Sequence, residues 1–317
     1  ILQTRGYNSA LGGNIGTAFT SLPIEKEGID FIVLEISSFQ LELIDKFKPD
    51  VAAILNITPD HLNRYTNFDE YILAKFNIFK NQHKEDTAIL NMDDKVSLRI
   101  TKVVNSTKKY FSLKSRTDIY FDGKFVNFGK DKISITKSTI KGPHNIANIM
   151  ASILAVSQYD VKKKVIEKAL TTFKSLPHRL EFITEINGIK FINDSKATNT
   201  ESVKYALQSF EKPIRIIMGG AGKGEDYSVL NTYLKKYAKK VYLTGDTKFE
   251  MKKAFSGIVD IEVCDSFEQS IRTAFSEAEK GDYIVLSPAC TSYDIFNNFE
   301  ERGEKFKQVV SSLKNES

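Results

Sequence analysis

Short apolar runs recur along the chain, and stretches with the spacing of amphipathic helices separate many of them. Brief runs rich in β-branched residues are typical of strands buried on both faces of a parallel sheet. Such runs occupy residues 31–34, 51–55, 87–90, 214–218, 240–243 and 283–286. Helical spacing occurs at residues 69–79, 227–237 and 267–278. This alternation of strand and helix predicts an α/β fold with mostly parallel sheets.

Two features divide this pattern into domains. In residues 110–141, polar and apolar residues alternate around Asp-Gly and Gly-Lys turns, and we predict a small antiparallel insert there. The turn-rich residues 175–179 predict a domain boundary, and a hairpin across Asn187-Gly188 opens a second α/β unit. The two predicted domains are 1–175 and 176–317.

The composition is that of a globular protein. The 317 residues are 41% hydrophobic, and 45 basic against 40 acidic side chains leave a net charge of +5, spread along the sequence. Such a nearly equal number of basic and acidic residues is not typical of a nucleic-acid binder. It suits small polyanionic substrates, although an ordinary solvated surface has the same balance.

Cysteine content and hydropathy indicate the compartment. Cys264 and Cys290 are too few for a disulfide framework and are typical of reduced cytosolic thiols. No apolar run approaches the roughly 18 residues that span a bilayer. The first residues also lack the basic start and apolar centre of a signal peptide. We predict a soluble cytoplasmic monomer that binds neither nucleic acid nor membrane.

Polar side chains follow two of the predicted strands. Glu35 and Ser37 come directly after the run 31–34, and His61 ends the polar segment after 51–55. Ligands of open α/β sheets bind beyond the carboxyl ends of the strands. Oxygen and imidazole groups there would suit a hard cation such as Mg²⁺. Polar residues at strand ends are also ordinary loop chemistry, so both interpretations stay open.

Lys75 shares one helical face with Tyr71, Ile78 and Phe79, which puts an amine on an apolar stripe. A snorkelling lysine is the ordinary explanation. A partly desolvated lysine could instead react with carbon dioxide, and the resulting carbamate could ligate a metal. Both interpretations fit the spacing.

Residues 193–199 are dense in hydrogen-bonding side chains and follow a short apolar strand. They predict either a capped turn, because Asp, Ser and Asn favour caps, or a site for a nucleotide and a substrate. Residues 217–224 are rich in glycine, but Gly224 stands where a Walker A loop needs Ser or Thr after its lysine. The glycines still permit close backbone approach, and Lys223 could meet an acidic ligand.

The segment 287–292 follows the last predicted strand, contains hydroxyl and thiol side chains, and precedes a predicted aromatic, charged helix over residues 294–310. A nucleophile there would need a general base. The four histidines of the chain show no triad spacing. We therefore predict binding hydroxyls rather than nucleophiles.

In their order along the chain, these segments resemble the Mur ligase family, and the resemblance covers nearly the whole chain. The family-wide motifs are Gly13-Asn14-Ile15-Gly16, Glu35-Ile36-Ser37-Ser38-Phe39-Gln40, Asn56-Ile57-Thr58-Pro59-Asp60-His61, Gly142-Pro143-His144-Asn145 with Asn148, Pro177-His178-Arg179, and Asn193-Asp194-Ser195-Lys196-Ala197-Thr198. The closing residues resemble the members that add D-glutamate: Ser287-Pro288-Ala289-Cys290, Ser292, Asp294, Phe296, Phe299, Arg302-Gly303 and Phe306.

The resemblance implies an ATP-driven ligation in peptidoglycan precursor synthesis. The carboxylate of UDP-N-acetylmuramoyl-L-alanine would attack the γ-phosphate, and the amine of D-glutamate would open the acyl phosphate. The implied fold is a central ATPase domain followed by a Rossmann-like C-terminal domain for the amino acid. The implied cofactors are ATP and Mg²⁺, with Glu35 and His61 as metal ligands and a carbamylated Lys75 supporting a second ion.

The resemblance also implies three groups of binding residues. They are Asn14, Ser37 and Gln40 at the muramoyl substrate and metal region; His144, Asn145 and Asn148 at the adenine, with Arg179 and Asp194 on the ribose and phosphates; and Lys196, Thr198, Lys223, Ser292 and Phe299 in the glutamate pocket. Tyr293 departs from the pattern, because a small aliphatic residue is expected beside the glutamate. We expect a pocket wall of different shape there.

Two larger departures concern the start of the chain. It begins without Met, and residues 1–6 resemble the last turn of a helix closed by glycine. Neither the family's uridine-binding domain nor a GxxxxGK[ST] loop lies within the 317 residues. We expect both upstream of residue 1. Losing one hydrogen-bond donor that stabilises a developing anion costs about 2.7 to 4 kcal/mol in catalysis, and a phosphate-binding loop supplies several such donors. We therefore expect that this chain alone does not catalyse ligation.

Two alternative hypotheses remain from the sequence. One is a sibling enzyme, either another Mur ligase or a folate-glutamating relative. The other is a non-catalytic fragment that binds a nucleotide or glutamate, or serves only as a folded scaffold. Phosphate release with different amino acids distinguishes the enzymes, and ligand titration distinguishes the fragment.

Overall fold

The computed structural model describes residues 1–14, 16–23, 28–59, 64–99, 101–140, 142–173 and 176–316. The chain divides into two compact units, Ile1–Phe173 and Lys174–Ser317. Each unit has its own six-stranded sheet and its own buried apolar clusters, and the first unit has a two-stranded sheet as well. Among the helices of these described ranges, none combines the length and apolar character that crossing a bilayer requires.

The first unit alternates strands and helices. Its strands β1 to β8 are Ser9–Gly13, Phe31–Glu35, Val51–Ile54, Thr87–Asn91, Thr107–Ser112, Ile119–Phe121, Phe125–Phe128 and Asp131–Ser134. Its helices α1 to α6 are Leu2–Arg5, Ser38–Leu41, Phe68–Phe76, Lys95–Leu98, Pro143–Val156 and Lys163–Thr172. As predicted, α1 ends at a glycine: Gly6 adopts a left-handed conformation with φ of 104°.

Two sheets form in the first unit. Strands β1 and β2 pair in parallel, and a six-stranded sheet has the order β3-β4-β5-β6-β7-β8. Pairing is parallel from β3 to β6 and antiparallel from β6 to β8. The predicted antiparallel segment is therefore present, but it extends the parallel sheet. The reason is that Phe111 of β5 pairs in register with Ile119 of β6.

The six-stranded sheet is covered on both faces. Because successive strand residues point to opposite sides, Ala88 and Leu90 pack with Tyr71 and Phe76 of α3, whereas Ile89 lies in the cluster formed with α5 and α6. Burial on both faces explains why β4 is a continuous apolar run. The predicted strand and helix periodicities are confirmed here.

The second unit is a doubly wound sheet. Its strands β9 to β14 are Glu181–Ile186, Ile189–Asn193, Ile214–Gly219, Ala238–Thr244, Ile261–Val263 and Tyr283–Leu286. Its helices α7 to α11 are Thr200–Leu207, Asn231–Tyr237, Lys248–Phe255, Phe267–Ser276 and Phe299–Glu316. The strand order is β13-β12-β11-β14-β10-β9, with β9 antiparallel and the other strands parallel. The predicted hairpin across Asn187-Gly188 joins β9 and β10.

The winding of this sheet locates a crevice. From β10 the chain builds β11, β12 and β13 outward, and then returns to insert β14 between β10 and β11. Helices α7, α8 and α9 pack on one face, and α10 and α11 pack on the other. Such a reversal of strand order is the place where open α/β sheets bind ligands, beyond the carboxyl ends of the strands.

The last helix begins later than its apolar pattern suggests. The sequence predicts a helix over residues 294–310, whereas α11 spans Phe299–Glu316. The Ser292 carbonyl accepts hydrogen bonds from the Ile295 and Phe296 amides at 3.2 and 2.8 Å, so these residues form a turn. The Asn298 side chain accepts from the Glu301 amide at 2.7 Å and caps the helix.

Candidate functional site

Three loops meet at the carboxyl ends of the central strands of the second unit. We name them the β10 loop (residues 194–199), the β11 loop (residues 220–225) and the β14 loop (residues 287–292). Together with the start of α11 they carry the predicted amino-acid-binding residues.

Asp194 opens the β10 loop with its carboxylate turned into the protein. One oxygen accepts a hydrogen bond from the Leu180 amide at 3.1 Å, and the other accepts from the Ser287 hydroxyl at 2.8 Å. Burial raises the pKa of Asp194 to about 7, against the opposing effects of the Ser287 and Leu180 hydrogen bonds and the Arg179 charge. The carboxylate thus joins the start of β9 to the β14 loop, while Arg179 itself is exposed.

His178, from the Pro-His-Arg motif, packs beneath the loops. Its backbone is left-handed with φ of 64°, and its Nδ1 lies 3.0 Å from Nδ2 of the Asn193 side chain. Burial lowers the pKa of His178. A Cβ on Gly303 would lie only 2.1 Å from His178 Nδ1, so α11 must have glycine at this position. The motif therefore holds α11 against β10.

The β11 loop is built on close backbone approach. Gly219, the last residue of β11, and Gly220 have φ of 114° and 141°. A Cβ on Gly219 would lie 1.9 Å from the Thr244 carbonyl oxygen, and one on Gly220 would lie 2.3 Å from that of Thr291. Ala221 and Thr291 exchange backbone hydrogen bonds of 3.0 and 3.1 Å. These contacts tie the β11 and β14 loops together and leave Lys223 exposed.

Cys290 is an internal residue of the β14 loop. Its sulfur lies 3.1 Å from the Tyr227 hydroxyl and 3.3 Å from that of Thr247. Burial raises the pKa of this thiol, which disfavours a nucleophilic thiolate. Ser292 is 2% exposed and the next residue, Tyr293, is 72% exposed.

Arg302 binds two of these loops, a role that the motif pattern did not reveal. Its guanidinium donates to the Ser195 hydroxyl at 3.0 Å and to the carbonyl oxygens of Ser195, Cys290 and Thr291 at 2.8, 3.0 and 3.0 Å. It is 2% exposed. Burial lowers the pKa of Arg302 to about 10. Its place beside Gly303 in the closing motif was the only sequence signal.

The start of α11 completes this cluster. The Ser195 hydroxyl donates to the Phe299 carbonyl at 2.7 Å, and the Lys196 ammonium lies 5.2 Å from the centre of the Phe299 ring. The Ala289 amide donates to the Ala197 carbonyl at 2.9 Å. The structure thus brings together the loops and the helix start that carry Lys196, Thr198, Lys223, Ser292 and Phe299.

In the first unit, Asn14 and Glu35 meet where β1 and β2 end. The Asn14 amide donates to the Glu35 carbonyl at 2.7 Å, and its side chain donates to the Glu35 carboxylate at 3.3 Å. Gly13 has φ of 104°, and a Cβ there would lie 2.3 Å from the Glu35 carbonyl oxygen. The glycine motif therefore serves to orient a carboxylate at the strand end.

Ser37 and Gln40 form a capping box on α2. The Ser37 side chain accepts from the backbone of the third helical residue, and Gln40 Oε1 accepts from the Ser37 amide at 2.8 Å. The Ser-x-x-Gln spacing is itself the signal of such a box. Part of the hydrogen-bonding capacity of these predicted substrate residues is therefore used locally.

Lys75 lies in the last turn of α3 and is half-buried. Its ammonium is 5.0 Å from the centre of the Tyr71 ring, one helical turn earlier. His61 lies outside the described residues. Within the described ranges no group of three His, Cys, Asp or Glu side chains forms a metal-binding cluster. The metal set of Glu35, His61 and Lys75 stays a prediction.

The predicted adenine-binding residues lie on the first turns of α5. The helix starts at Pro143 after Gly142, which has φ of 90° and provides no side-chain cap. His144 and Asn145 are half-buried, whereas Asn148 is exposed. Spacings of three and four residues put the three side chains on one face of the helix.

Comparison with known proteins gives matches over both units. The model of the Mur ligase middle domain matches residues 2–156, and the model of the Mur ligase glutamate ligase domain matches residues 178–290. A UDP-N-acetylmuramoylalanine--D-glutamate ligase from Caldicellulosiruptor saccharolyticus is 41% identical and covers 99% of this chain and 71% of that protein. The ligase of the same name from Koribacter versatilis is 39% identical, covering 99% and 70%.

Solved structures share the fold. The MurF ligase of Thermotoga maritima, in complex with ADP, has a TM-score of 0.72 at 19% identity, covering 98% of this chain and 76% of that one. MurF from Acinetobacter baumannii has a TM-score of 0.74 at 15% identity, covering 99% and 72%. Such identities concern the fold only. The two domain matches and the relatives at 41% and 39% identity make the chain a member of the Mur ligase family.

Proposed function

We propose that this chain is the ATP- and amino-acid-binding part of an ATP-dependent ligase that joins D-glutamate to UDP-N-acetylmuramoyl-L-alanine. The observation that carries this proposal is the similarity over 99% of the chain to curated proteins named for that activity, at 41% and 39% identity. The convergence of Lys196, Lys223 and Ser292 on three adjoining loops is consistent with a site for an anionic amino acid.

The proposed reaction has two steps. A carboxylate oxygen of the muramoyl substrate bonds to the γ-phosphorus of ATP, and ADP leaves with the electrons of the broken phosphorus–oxygen bond. The amine of D-glutamate then bonds to the acyl carbon, loses a proton to solvent, and inorganic phosphate leaves. Both steps bring anions together, so cationic side chains in fixed positions lower the barrier.

A metal ion fits the residues of the first unit in part. Glu35 offers the oxygen donor that a hard cation prefers, and the Asn14 amide orients it at 3.3 Å. Glu35 and His61 would hold Mg²⁺, and a carbamate on Lys75 would support a second ion. When bound, Mg²⁺ would reduce the repulsion between the carboxylate and the phosphates. Asn14, Ser37 and Gln40 would face the muramoyl substrate.

Nucleotide contacts are assigned by the same motifs. In the first unit, His144, Asn145 and Asn148 would border the adenine from the first turns of α5. In the second unit, Arg179 would act on the phosphates, since its side chain is exposed. Asp194, assigned to the ribose and phosphates, would act mainly by holding Leu180, and with it the Arg179 segment, through its 3.1 Å hydrogen bond.

The amino-acid site would use charge. Lys196 and Lys223 would each bind one carboxylate of D-glutamate, with hydroxyl donors from Thr198 and Ser292. Phe299 would hold the Lys196 stem and ammonium in place through its ring, which lies 5.2 Å from the ammonium. Removing Lys223 should raise the KM for D-glutamate about 10- to 100-fold, because a charge-assisted hydrogen bond contributes roughly 1.5 to 3 kcal/mol.

Phosphate release tests the function. In the complete natural protein, with ATP, Mg²⁺ and UDP-N-acetylmuramoyl-L-alanine, D-glutamate should stimulate release, and Lys223→Met should raise its KM. Lys235→Met changes an exposed lysine on α8 and is the matched control. Stimulation by L-alanine or a diamino acid, but not by D-glutamate, would contradict the proposal.

Calorimetric titration of the 317-residue chain addresses the non-catalytic alternative. Heat with Mg²⁺-ATP or D-glutamate supports retained ligand binding. Heat from neither ligand supports a folded scaffold without a site of its own. The titration needs no turnover, so it is independent of the ligation assay.

A further inference from the structure

Arg302 is a buried cation whose hydrogen-bond partners are all neutral. Its four contacts go to one hydroxyl and three carbonyl oxygens. No carboxylate of the described residues lies within ion-pair distance of its guanidinium. The nearby acidic charge that acts on it belongs to Asp294, whose carboxylate accepts from the Asp246 amide at 3.3 Å. Buried charges in proteins are normally paired, so this one calls for an explanation.

The position of Arg302 in its helix is a second reason why a cation is unfavourable there. It is the fourth residue of α11, where the helix dipole disfavours a cation. The Glu301 carboxylate accepts hydrogen bonds from the Asn297 amide and side chain at 2.8 Å and forms no ion pair with Arg302. A cation at this place opposes local electrostatics twice, once by burial and once by the dipole.

Two of the three residues that Arg302 contacts lie next to a predicted amino-acid-binding residue. Ser195 immediately precedes Lys196, and its hydroxyl also holds the Phe299 carbonyl at 2.7 Å. Thr291 immediately precedes Ser292 and is bridged to the β11 loop that carries Lys223. The backbone of Gly220 also lies close to the guanidinium, since a Cβ on this residue would be 3.0 Å from Arg302 Nη1. One side chain thus sets the geometry of the whole cluster.

We propose that Arg302 is a positioning residue of the amino-acid site, and that its uncompensated charge selects an anionic amino acid without touching it. This inference rests on the proposed function. The guanidinium fixes the carbonyls of the β10 and β14 loops, which orients the side chains that follow them. Its unpaired charge behind these loops attracts a dicarboxylate such as glutamate more strongly than glutamine, in which a neutral amide replaces one carboxylate. The lowered pKa of Arg302 agrees with a charge that lacks a partner.

Two variants separate charge from hydrogen bonding. Arg302→Met removes both, whereas Arg302→Lys keeps the charge but not the planar fork. In the complete natural protein, we expect Arg302→Met to raise the KM for D-glutamate about tenfold or more, with the KM for ATP within about twofold. Arg302→Lys should restore the KM for D-glutamate to within about threefold while lowering kcat, because the loops are less well oriented.

A third variant controls for the loss of any buried arginine. Arg215→Met removes an arginine that is 6% exposed and lies in the same sheet. It should lower thermal stability and leave the KM for D-glutamate unchanged. If Arg302→Met and Arg302→Lys raise that KM equally, or neither raises it, the inference is wrong.

The inference stays testable if Arg302→Met does not fold. Arg302→Lys against the unmodified protein then decides, and a KM increase above about tenfold would overturn the role of the charge. A failure of the proposed function is distinguishable, because the unmodified protein would then show no phosphate release that depends on D-glutamate.

Discussion

Two arginines are buried at opposite ends of the second unit's sheet, and their surroundings differ in charge. Arg215, near the start of β11, donates to Asp282 at 2.9 Å and to the Tyr242 hydroxyl at 2.7 Å. Burial acts to lower the pKa of Arg215, but the Asp282 and Tyr242 contacts raise it overall. Arg302, at the carboxyl end, contacts only neutral oxygens, and burial lowers its pKa to about 10.

The difference separates a stabilising network from a binding one. At the amino end, Glu277 accepts from Tyr242 at 2.7 Å and from Lys240 at 3.0 Å, so charges of both signs alternate and neutralise one another. At the carboxyl end, Lys196 and Lys223 lie on the adjoining loops that Arg302 binds from α11, and the carboxylates of Asp194 and Glu225 on these loops accept from the Leu180 and Thr200 amides. Charges at the amino end pair with one another, whereas the Arg302 guanidinium, which no described carboxylate pairs, favours an anion.

The largest expected effect is at the amino end. Arg215→Met should lower the free energy of unfolding by about 3 to 5 kcal/mol, because it removes a buried guanidinium that donates to Asp282, Tyr242 and the Glu277 carbonyl. Lys239, at 3.2 Å, is then the cation that remains beside Asp282. Urea denaturation followed by circular dichroism measures the loss of stability. Glu279→Gln is the control, since the Lys239–Glu279 pair at 2.8 Å is exposed and should matter by less than about 0.5 kcal/mol. If both variants lowered the free energy of unfolding equally, the buried arginine would not stabilise the fold more than the exposed Lys239–Glu279 pair, and the prediction would be wrong.

A somewhat smaller loss of stability is expected when a side chain is added where backbones pack closely at the carboxyl end of the sheet. Gly219→Ala should cost about 3 kcal/mol, because its left-handed φ strains an L-residue by about 1 to 2 kcal/mol and the new Cβ overlaps the Thr244 carbonyl. Gly257→Ala is the matched control, with φ of 74° and no heavy atom within 4 Å of the new Cβ. If chemical denaturation gives the same loss for both variants, the close approach of the β11 loop is not what requires glycine.

The smallest expected effect, taken per pH unit, is a pH dependence of stability at Asp194. Its folded-state pKa of about 7 exceeds the ordinary value of 3.8, so its stabilising contribution is present below about pH 4 and is lost as the pH rises through 7. Asp194→Asn should remove a slope of at most about 1.4 kcal/mol per pH unit in that window. His178, with its lowered pKa, contributes with the opposite sign in both proteins. Stability curves of equal slope for the two proteins would disprove a buried, protonating Asp194.

Local rules made much of the fold predictable. The run 283–286 is a strand with those bounds, and the Asn-Gly pair at 187–188 turns a hairpin. Gly224 excluded a Walker A loop, and the structure uses Gly219 and Gly220 for backbone packing instead. These features depend on residues close in sequence, so period, turn chemistry and spacing are enough to find them.

The polar segment 193–199 forms in part the capped turn that its sequence allowed, and its role in ligand binding stays a prediction. Asn193 and Asp194 bond internally, and Asn199 caps α7 by accepting from the Ser202 amide at 2.9 Å. Lys196 and Thr198 remain on the loop between them. The helical pattern also predicted the start of α11 too early, because the Ser292 turn and the Asn298 cap compete with it.

What the sequence by itself determined is the alternating α/β fold, the resemblance to the Mur ligases and the set of candidate side chains. Only the tertiary structure decided which of these side chains are internal. Arg302 binds Ser195, which lies 107 residues earlier, and Asp194 binds Ser287, which lies 93 residues later. Burial and charge compensation depend on such distant partners, so no local pattern distinguishes the neutralised Arg215 from the uncompensated Arg302.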